Sequence, residues 1–321
     1  MYRREADGLE DVLGLAALLA AGIALVVKGG DLFVSGAVWI AEASGLPKFL
    51  VGATLVSLAT TLPELLVSVM GAGKGQVDLA VGNAVGSVSA NTGLILGLSA
   101  LCLPAAAPRR SIGVQMLLMA LAAAVLYLLC RDGSLGAGPG TLLLGIFFLY
   151  LWAGVASATA EGPAPAAAGL RRRELPRQLL RFLLGLGGIV WGADLLIDSG
   201  SRLALRLGIP AGIIGVTLVA IGTSLPELMT TIAALARGES ALSVGNIIGA
   251  NIIDLTLILP LCALLRGGSL PISPQGTALD LPACLALVLL AAVPALLSRR
   301  FSRLQGALLL AAYGGYLLLL A

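Results

Sequence analysis

Histidine is missing from all 321 residues, which removes imidazole metal sites and histidine proton relays from consideration. Charge is scarce as well. Lys, Arg, Asp and Glu make up 12% of the chain against 58% hydrophobic residues, about half the charged share of an ordinary soluble domain. A water-facing surface cannot be covered with so little, so the solvent is lipid. Cysteine is limited to Cys102, Cys130, Cys262 and Cys284, scattered singly in or beside apolar segments. They lack the close spacing of a zinc site or redox pair and read as small core residues. The formal charge is only +3 and sits on arginines clustered between apolar runs. No basic, aromatic-interleaved face exists for a phosphate backbone, so nucleic acid is not an expected partner. Any cation site must be built from oxygen.

What the chain has in abundance is apolar stretches near the roughly 20 residues that a helix needs to cross about 30 Å of hydrocarbon. About ten are legible, predicting an all-α integral membrane protein. Residues 1–11 mix Arg3 and Arg4 with Glu5, Asp7, Glu10 and Asp11, unlike the basic start of a cleaved signal peptide, so the first helix is expected to stay. A stretch of small residues and prolines from Glu161, followed by Arg171, Arg172, Arg173 and Arg177, divides the chain nearly in half. The expected organisation is a first repeat at 1–160, a cytoplasmic linker at 161–177 and a second repeat at 178–321.

The two halves match without a gap. Residues 51–101 align on residues 214–264, with Glu64 and Glu227 163 positions apart. Leu-Ala-Thr-Thr-Leu-Pro-Glu64 meets Ile-Gly-Thr-Ser-Leu-Pro-Glu227, Gly82-Asn-Ala-Val-Gly86 meets Gly245-Asn-Ile-Ile-Gly249, and Asp31 falls on Asp194. An odd number of helices per half would make the second cross in the opposite sense, an inverted-topology repeat. Lys48, Arg109, Arg110, Arg171, Arg172, Arg173, Arg177, Arg181, Arg237, Arg299, Arg300 and Arg303 then collect on one side, which should be cytoplasmic. Both termini are accordingly expected outside.

An ionised carboxylate at the bilayer centre costs roughly 2.5–3.5 kcal/mol even on the lenient insertion scale. Glu64, Glu227 and Asp254 are therefore expected to face a polar cavity or bind something. A purely structural role would need a distant counter-charge such as Lys28. Thr60 and Glu64 share a helix face at i and i+4, as do Thr223 and Glu227. Pro63 and Pro226 cannot donate the usual backbone hydrogen bond, which frees the carbonyls of Ala59 and Gly222 and predicts a broken helix. Asn83, Ser87 and Asn91 repeat at four-residue steps and are matched by Asn246, Ala250 and Asp254. Carboxylate, amide, hydroxyl and carbonyl oxygens together suit Ca²⁺ or Na⁺ rather than zinc or copper. Repulsion among three acids should let protons compete with the metal.

The paired Thr-Thr-Leu-Pro-Glu and Thr-Ser-Leu-Pro-Glu segments, each followed by Gly-Asn-x-x-Gly, resemble the α-repeats of the sodium/calcium exchangers. The resemblance spans both halves. It implies two inverted repeats of about five helices each, with broken helices 2, 3, 7 and 8 around a midplane ion site while helices 1 and 6 slide past as a gate. Carried over by position, Glu64 and Glu227 would be central Ca²⁺ ligands assisted by Thr60 and Thr223, and Asn91 and Asp254 would complete the ring. Thr61, Ser87, Ser224 and the Ala220 carbonyl would line flanking Na⁺ sites, with Ser57 the symmetry mate of Ala220. Sharing the glutamates would make Na⁺ and Ca²⁺ mutually exclusive, which couples their opposite movements. No cofactor is implied beyond the transported ions, and a monomer in a prokaryotic inner or plasma membrane is expected to suffice.

Ala250 departs from the family, whose similar members carry a serine there opposite Ser87. One hydroxyl is missing, and a weakened flanking Na⁺ site on the second-repeat side is the expected result. An exchanger of Ca²⁺ for H⁺, or of another cation, is the alternative. An enzyme would need a nucleophile, metal triad or cofactor cradle, and none is present in the sequence; Gly185-Leu-Gly-Gly188 lies in an apolar run and reads as packing.

Overall fold

The computed structural model describes residues 2–43, 57–102, 110–160, 174–236 and 240–320. Leu46, Pro47, Lys48, Arg109, Arg237, positions 51–56 of the first motif and most of the linker lie outside these. The order is α1 (Tyr2–Ala43), α2 (Ser57–Thr60), α3 (Leu62–Gly73), α4 (Val77–Cys102), α5 (Arg110–Cys130), β1 (Ser134–Gly136) and α6 (Ala137–Ala160). There follow α7 (Leu175–Leu207), α8 (211–223), α9 (Leu225–Ala236), α10 (240–265), β2 (Ser269–Pro271), α11 (Gly276–Ser298) and α12 (Arg303–Leu320). Among the described residues nine helices are long and apolar enough to cross a membrane, and α2 with α3 takes the place of the remaining expected span. Side chains such as Trp152 (67% exposed), Trp191 (76%) and Leu297 (82%) face outward, as a surface covered by hydrocarbon requires.

Two interruptions sit where the prolines place them. Thr61 (φ −83°, ψ −1°) separates α2 from α3, and Ser224 (φ −81°, ψ 5°) separates α8 from α9. Each proline thereby falls in a first helical turn, where its missing N–H leaves no bond unmade. Helices 3 and 8, by contrast, are not broken. α4 and α10 run through, each with one π turn, at Asn91–Leu96 and Asp254–Ile258. α4 contains no proline, so nothing ends its hydrogen-bond ladder; the wider turn only loosens it. In α10 the π turn precedes Pro260 and absorbs the lost donor. Both π turns start at symmetry-matched residues.

Apolar burial divides the molecule into two bodies. One core joins α3–α6 with α10–α12, around Met116, Leu126, Tyr150 and Ile258. A second gathers α1 and α7 through Leu19, Val26, Leu196 and Ile197, touching Val67, Leu79 and Val219. At its centre the contact between α1 and α7 is backbone against backbone. A Cβ on Gly29 would lie 2.7 Å from the Ile189 amide nitrogen and 2.8 Å from the Gly185 carbonyl, so only glycine permits this approach. One residue on, a Cβ at Gly30 would lie 3.7 Å from Pro226 and 4.0 Å from Pro63, so α1 rests on both interruptions. At one end of the molecule β1 pairs antiparallel with β2, Leu135 opposite Leu270. This joins the loop after α5 to the loop after α10.

Candidate cation site

The side chains singled out in the sequence are gathered on α2–α4 and α8–α10, and all are sealed from solvent. Glu64, Ser57, Ser87, Asn91, Thr223, Ala220 and Glu227 are 0% exposed, and Thr60, Thr61, Ser224 and Asp254 are 1%. At the first interruption the Ser57 carbonyl accepts from the Thr61 amide at 3.0 Å, the Thr61 hydroxyl at 2.7 Å and the Thr60 hydroxyl at 3.2 Å. At the second, the Ala220 carbonyl accepts from the Ser224 amide at 3.0 Å, with the Thr223 hydroxyl at 3.2 Å. The two breaks are crossed. Ser224 Oγ donates to Glu64 Oε1 at 3.1 Å, and Thr223 Oγ1 lies 3.5 Å from Ser87 Oγ. On the opposite side Thr60 and Thr61 approach the Glu227 carboxylate, but their hydrogens are committed to Ser57.

Asparagines brace both breaks from behind. Asn83 Nδ2 donates to the Glu64 carbonyl at 3.2 Å and to Ser68 Oγ at 2.9 Å, and its Oδ1 takes the Thr223 hydroxyl at 3.1 Å. Asn246 Nδ2 donates to Thr230 Oγ1 at 3.1 Å, which in turn donates to the Glu227 carbonyl at 2.9 Å. The predicted ring itself is left hungry for a partner. Among the described residues, seven of the eleven buried polar side-chain atoms without a hydrogen bond belong to four residues: Glu64 Oε2, both Asn91 atoms, both Glu227 oxygens and both Asp254 oxygens. Glu64 is in electrostatic range of Glu227 and Asp254, although among the described residues no three acids close to within one ion's coordination distance. A cation there would be held by carboxylates together with amide and hydroxyl oxygens.

No basic side chain neutralises these acids among the described residues. Lys28 is 82% exposed and lies 4.0 Å from Asp31, away from the centre. Lys74, in the turn after α3, reaches across to α7, 2.6 Å from Asp194 and 2.9 Å from Asp198. Partial burial pulls its ammonium down, the hydrogen bonds to Asp194 and then Asp198 push it up, and the balance leaves it above its ordinary value. Of the four motif glycines, Gly82, Gly86 and Gly249 sit against neighbouring helices while Gly245 faces open space.

Among the buried polar residues not singled out in the sequence are Asp280 and Tyr150. Asp280, 5% exposed, accepts from Tyr316 Oη at 3.0 Å and lies near Gln275 Nε2; an acid inside an apolar span was the available signal. Tyr150, 1% exposed, brings its hydroxyl beside Ser57. Its signal was the repeat itself, since Tyr150 falls on Tyr313 at the same 163-residue offset.

The family model described as sodium/calcium exchanger protein matches residues 14–155 and 177–321. The inner membrane protein YrbG of Escherichia coli (strain K12) is 38% identical over 79% of this chain and 81% of its own. The sodium/calcium exchanger MaX1 of Methanosarcina acetivorans is 28% identical over 94% of this chain and 97% of its own. Among solved structures, the sodium-calcium exchanger NCX_Mj soaked with Na⁺ and Sr²⁺ superposes with a TM-score of 0.67 at 31% identity, covering 94% of this chain and 97% of that one. With both halves matched by one family model and the duplicated acids buried where the two breaks cross, the chain belongs to the sodium/calcium exchanger family.

Proposed function

We propose that the protein is a secondary active antiporter that exchanges Na⁺ for Ca²⁺ by alternating access at one shared oxygen site. The observation that carries this reading is the set of unpartnered, fully buried oxygens on Glu64, Glu227, Asn91 and Asp254, since buried polar groups in a membrane are otherwise hydrogen-bonded. Glu64 and Glu227 would bind Ca²⁺ with help from Thr60 and Thr223, and Asn91 and Asp254 would close the ring. Ser224, Ser87 and the Ala220 carbonyl would hold Na⁺ on one flank, Thr61 and the Ser57 carbonyl on the other. Hard oxygen donors fit both ions, and both need the same two glutamates. Occupancy by one ion therefore excludes the other, and α1 with α7 would expose the site to each side in turn.

The two halves, 1–160 and 178–321, would act as inverted repeats joined by a cytoplasmic linker, with the termini extracytoplasmic. The name of the YrbG relative supports an inner membrane location. A single chain contains every ligand named, so a monomer suffices. Ala250, a buried methyl where Ser87 has a hydroxyl, favours a second reading, exchange of Ca²⁺ for H⁺.

The test is Ca²⁺ uptake into proteoliposomes preloaded with Na⁺, beside uptake driven by a proton gradient alone, with Glu227→Gln under both conditions. Uptake that requires internal Na⁺ and is lost in the variant is the expected result. Uptake driven only by protons would replace the first reading with the second.

A further inference from the structure

Behind the first break stands a pair of hydroxyls that the second break lacks. Ser57 Oγ donates to Asn246 Oδ1 at 3.3 Å, and the Tyr150 hydroxyl from the middle of α6 lies beside the same serine. The two oxygens flank Gly249: a Cβ built there would lie 2.7 Å from Ser57 Oγ and 2.7 Å from Tyr150 Oη. Gly249 adjoins Ala250, the position whose repeat mate is Ser87.

The repeat relation gives this arrangement its meaning. On the flank of the second break, Ser87 lies 3.5 Å from Thr223, and the residue matching Ser57 is Ala220. The Ala220 methyl occupies the matching place, 2.8 Å from a Cβ that would be built on Gly86. On the flank of the first break the pair is inverted, with alanine at 250 and serine at 57. Each flank thus keeps one serine hydroxyl, contributed by opposite members of the pair. The tyrosines follow suit: Tyr150 has the serine beside it, while the hydroxyl of its mate Tyr313 is buried without a partner.

We propose that Ser57 is a specificity-determining residue whose hydroxyl, held by Tyr150 and Asn246, supplies to the flanking monovalent-cation site the oxygen that Ala250 lacks. This rests on the sodium-coupled reading above. Ser57 already reaches that flank through its carbonyl, so the residue offers two oxygens to one small cation. Tyr150 and Asn246 act as positioning residues, fixing the rotamer of Ser57. Ala250 then marks a relocated hydroxyl, and the flank remains suited to Na⁺.

The test is a double-mutant cycle of Ser57→Ala and Ala250→Ser, with Tyr150→Phe as a milder perturbation, read as half-saturating Na⁺ for Na⁺-driven Ca²⁺ efflux from proteoliposomes. Half-saturating Ca²⁺ for tracer Ca²⁺/Ca²⁺ exchange is measured on the same vesicles. S57A is expected to raise half-saturating Na⁺ by about five- to tenfold, the scale of one lost neutral oxygen contact, and by more than it changes half-saturating Ca²⁺. Y150F should move Na⁺ the same way by less. A250S should restore much of the loss in the S57A background and do less in the wild type, a coupling that a merely structural serine would not produce. Equal shifts for both ions, or an A250S effect identical in the two backgrounds, would overturn the assignment alone. A wild type that exchanges Ca²⁺ but ignores Na⁺ would overturn the sodium reading, and this assignment with it.

Discussion

Replacing Glu227 by glutamine preserves shape and removes one charge, and the structure assigns the change opposite effects on folding and on transport. Both Glu227 carboxylate oxygens are buried without a hydrogen-bond partner, and no lysine or arginine pairs with them among the described residues. Leaving a buried polar group unsatisfied costs about 1–3 kcal/mol, more when it is charged. The amide still bears that neutral cost but not the excess due to charge, so the ion-free protein should be somewhat more stable with glutamine. The same change deletes a charged ligand from the cation; breaking one partner of a buried ionic contact costs about 3–5 kcal/mol. Ca²⁺ binding should weaken by roughly two to four orders of magnitude. Thermal unfolding of the purified protein in detergent, with and without Ca²⁺, measures both. The wild type should melt low without the ion and rise on its addition, whereas Glu227→Gln should melt higher without Ca²⁺ and show no rise. A variant that melts lower than wild type without Ca²⁺, or still rises with it, would refute the placement of Glu227 as an unpartnered ligand.

Lys74→Met removes the ion pairs that tie the α3–α4 turn to Asp194 and Asp198 on α7. The group is a third exposed, so the shift between conformers should be at most about 1 kcal/mol, roughly fivefold; tracer Ca²⁺ exchange should depend on salt in the wild type and lose that dependence in the variant. Because Lys74 sits above its ordinary value, the stabilisation is complete below the unfolded lysine pKa of about 10.4 and is lost only as pH rises through the higher folded one, so an exchange rate governed by this tie should be flat from neutral to mildly alkaline pH. Gly29→Ala places a methyl against the backbone of α7, and overpacking of about 1–3 kcal/mol should appear as a lower melting temperature and slower exchange. Tyr316→Phe deletes the 3.0 Å donor to buried Asp280 and should lower stability by about 1.5–3 kcal/mol if that carboxyl is charged, with Ca²⁺-induced stabilisation retained.

The features written into residue type and period were legible. Fold class follows from apolar runs, and the crossing of the two breaks follows from an ungapped match that carries proline and glutamate together. Features written into hydrogen-bond register were not. The π turns at Asn91 and Asp254 alter which carbonyl each amide meets without altering hydrophobic spacing, so a broken helix and a loosened one look alike in sequence. Hydroxyl direction is equally hidden: Thr60 and Thr61 both turn to the Ser57 carbonyl, whereas their matched pair divides, Ser224 going to Glu64 and Thr223 toward Asn83. Tyr150 reaches Ser57 from a helix far away in the chain, and no local pattern announces a contact of that kind.

The bare glycine contact between α1 and α7 turns two helices into a single shaft. Backbone rests on backbone at Gly29 and Gly185, flanked by interlocked side chains such as Val26, Leu196 and the Phe33–Phe182 pair, so neither helix can slip past the other without breaking both. The shaft is drawn from both halves of the sequence and bears on both prolines, one beside each break. Any displacement of the shaft would therefore act on both breaks together.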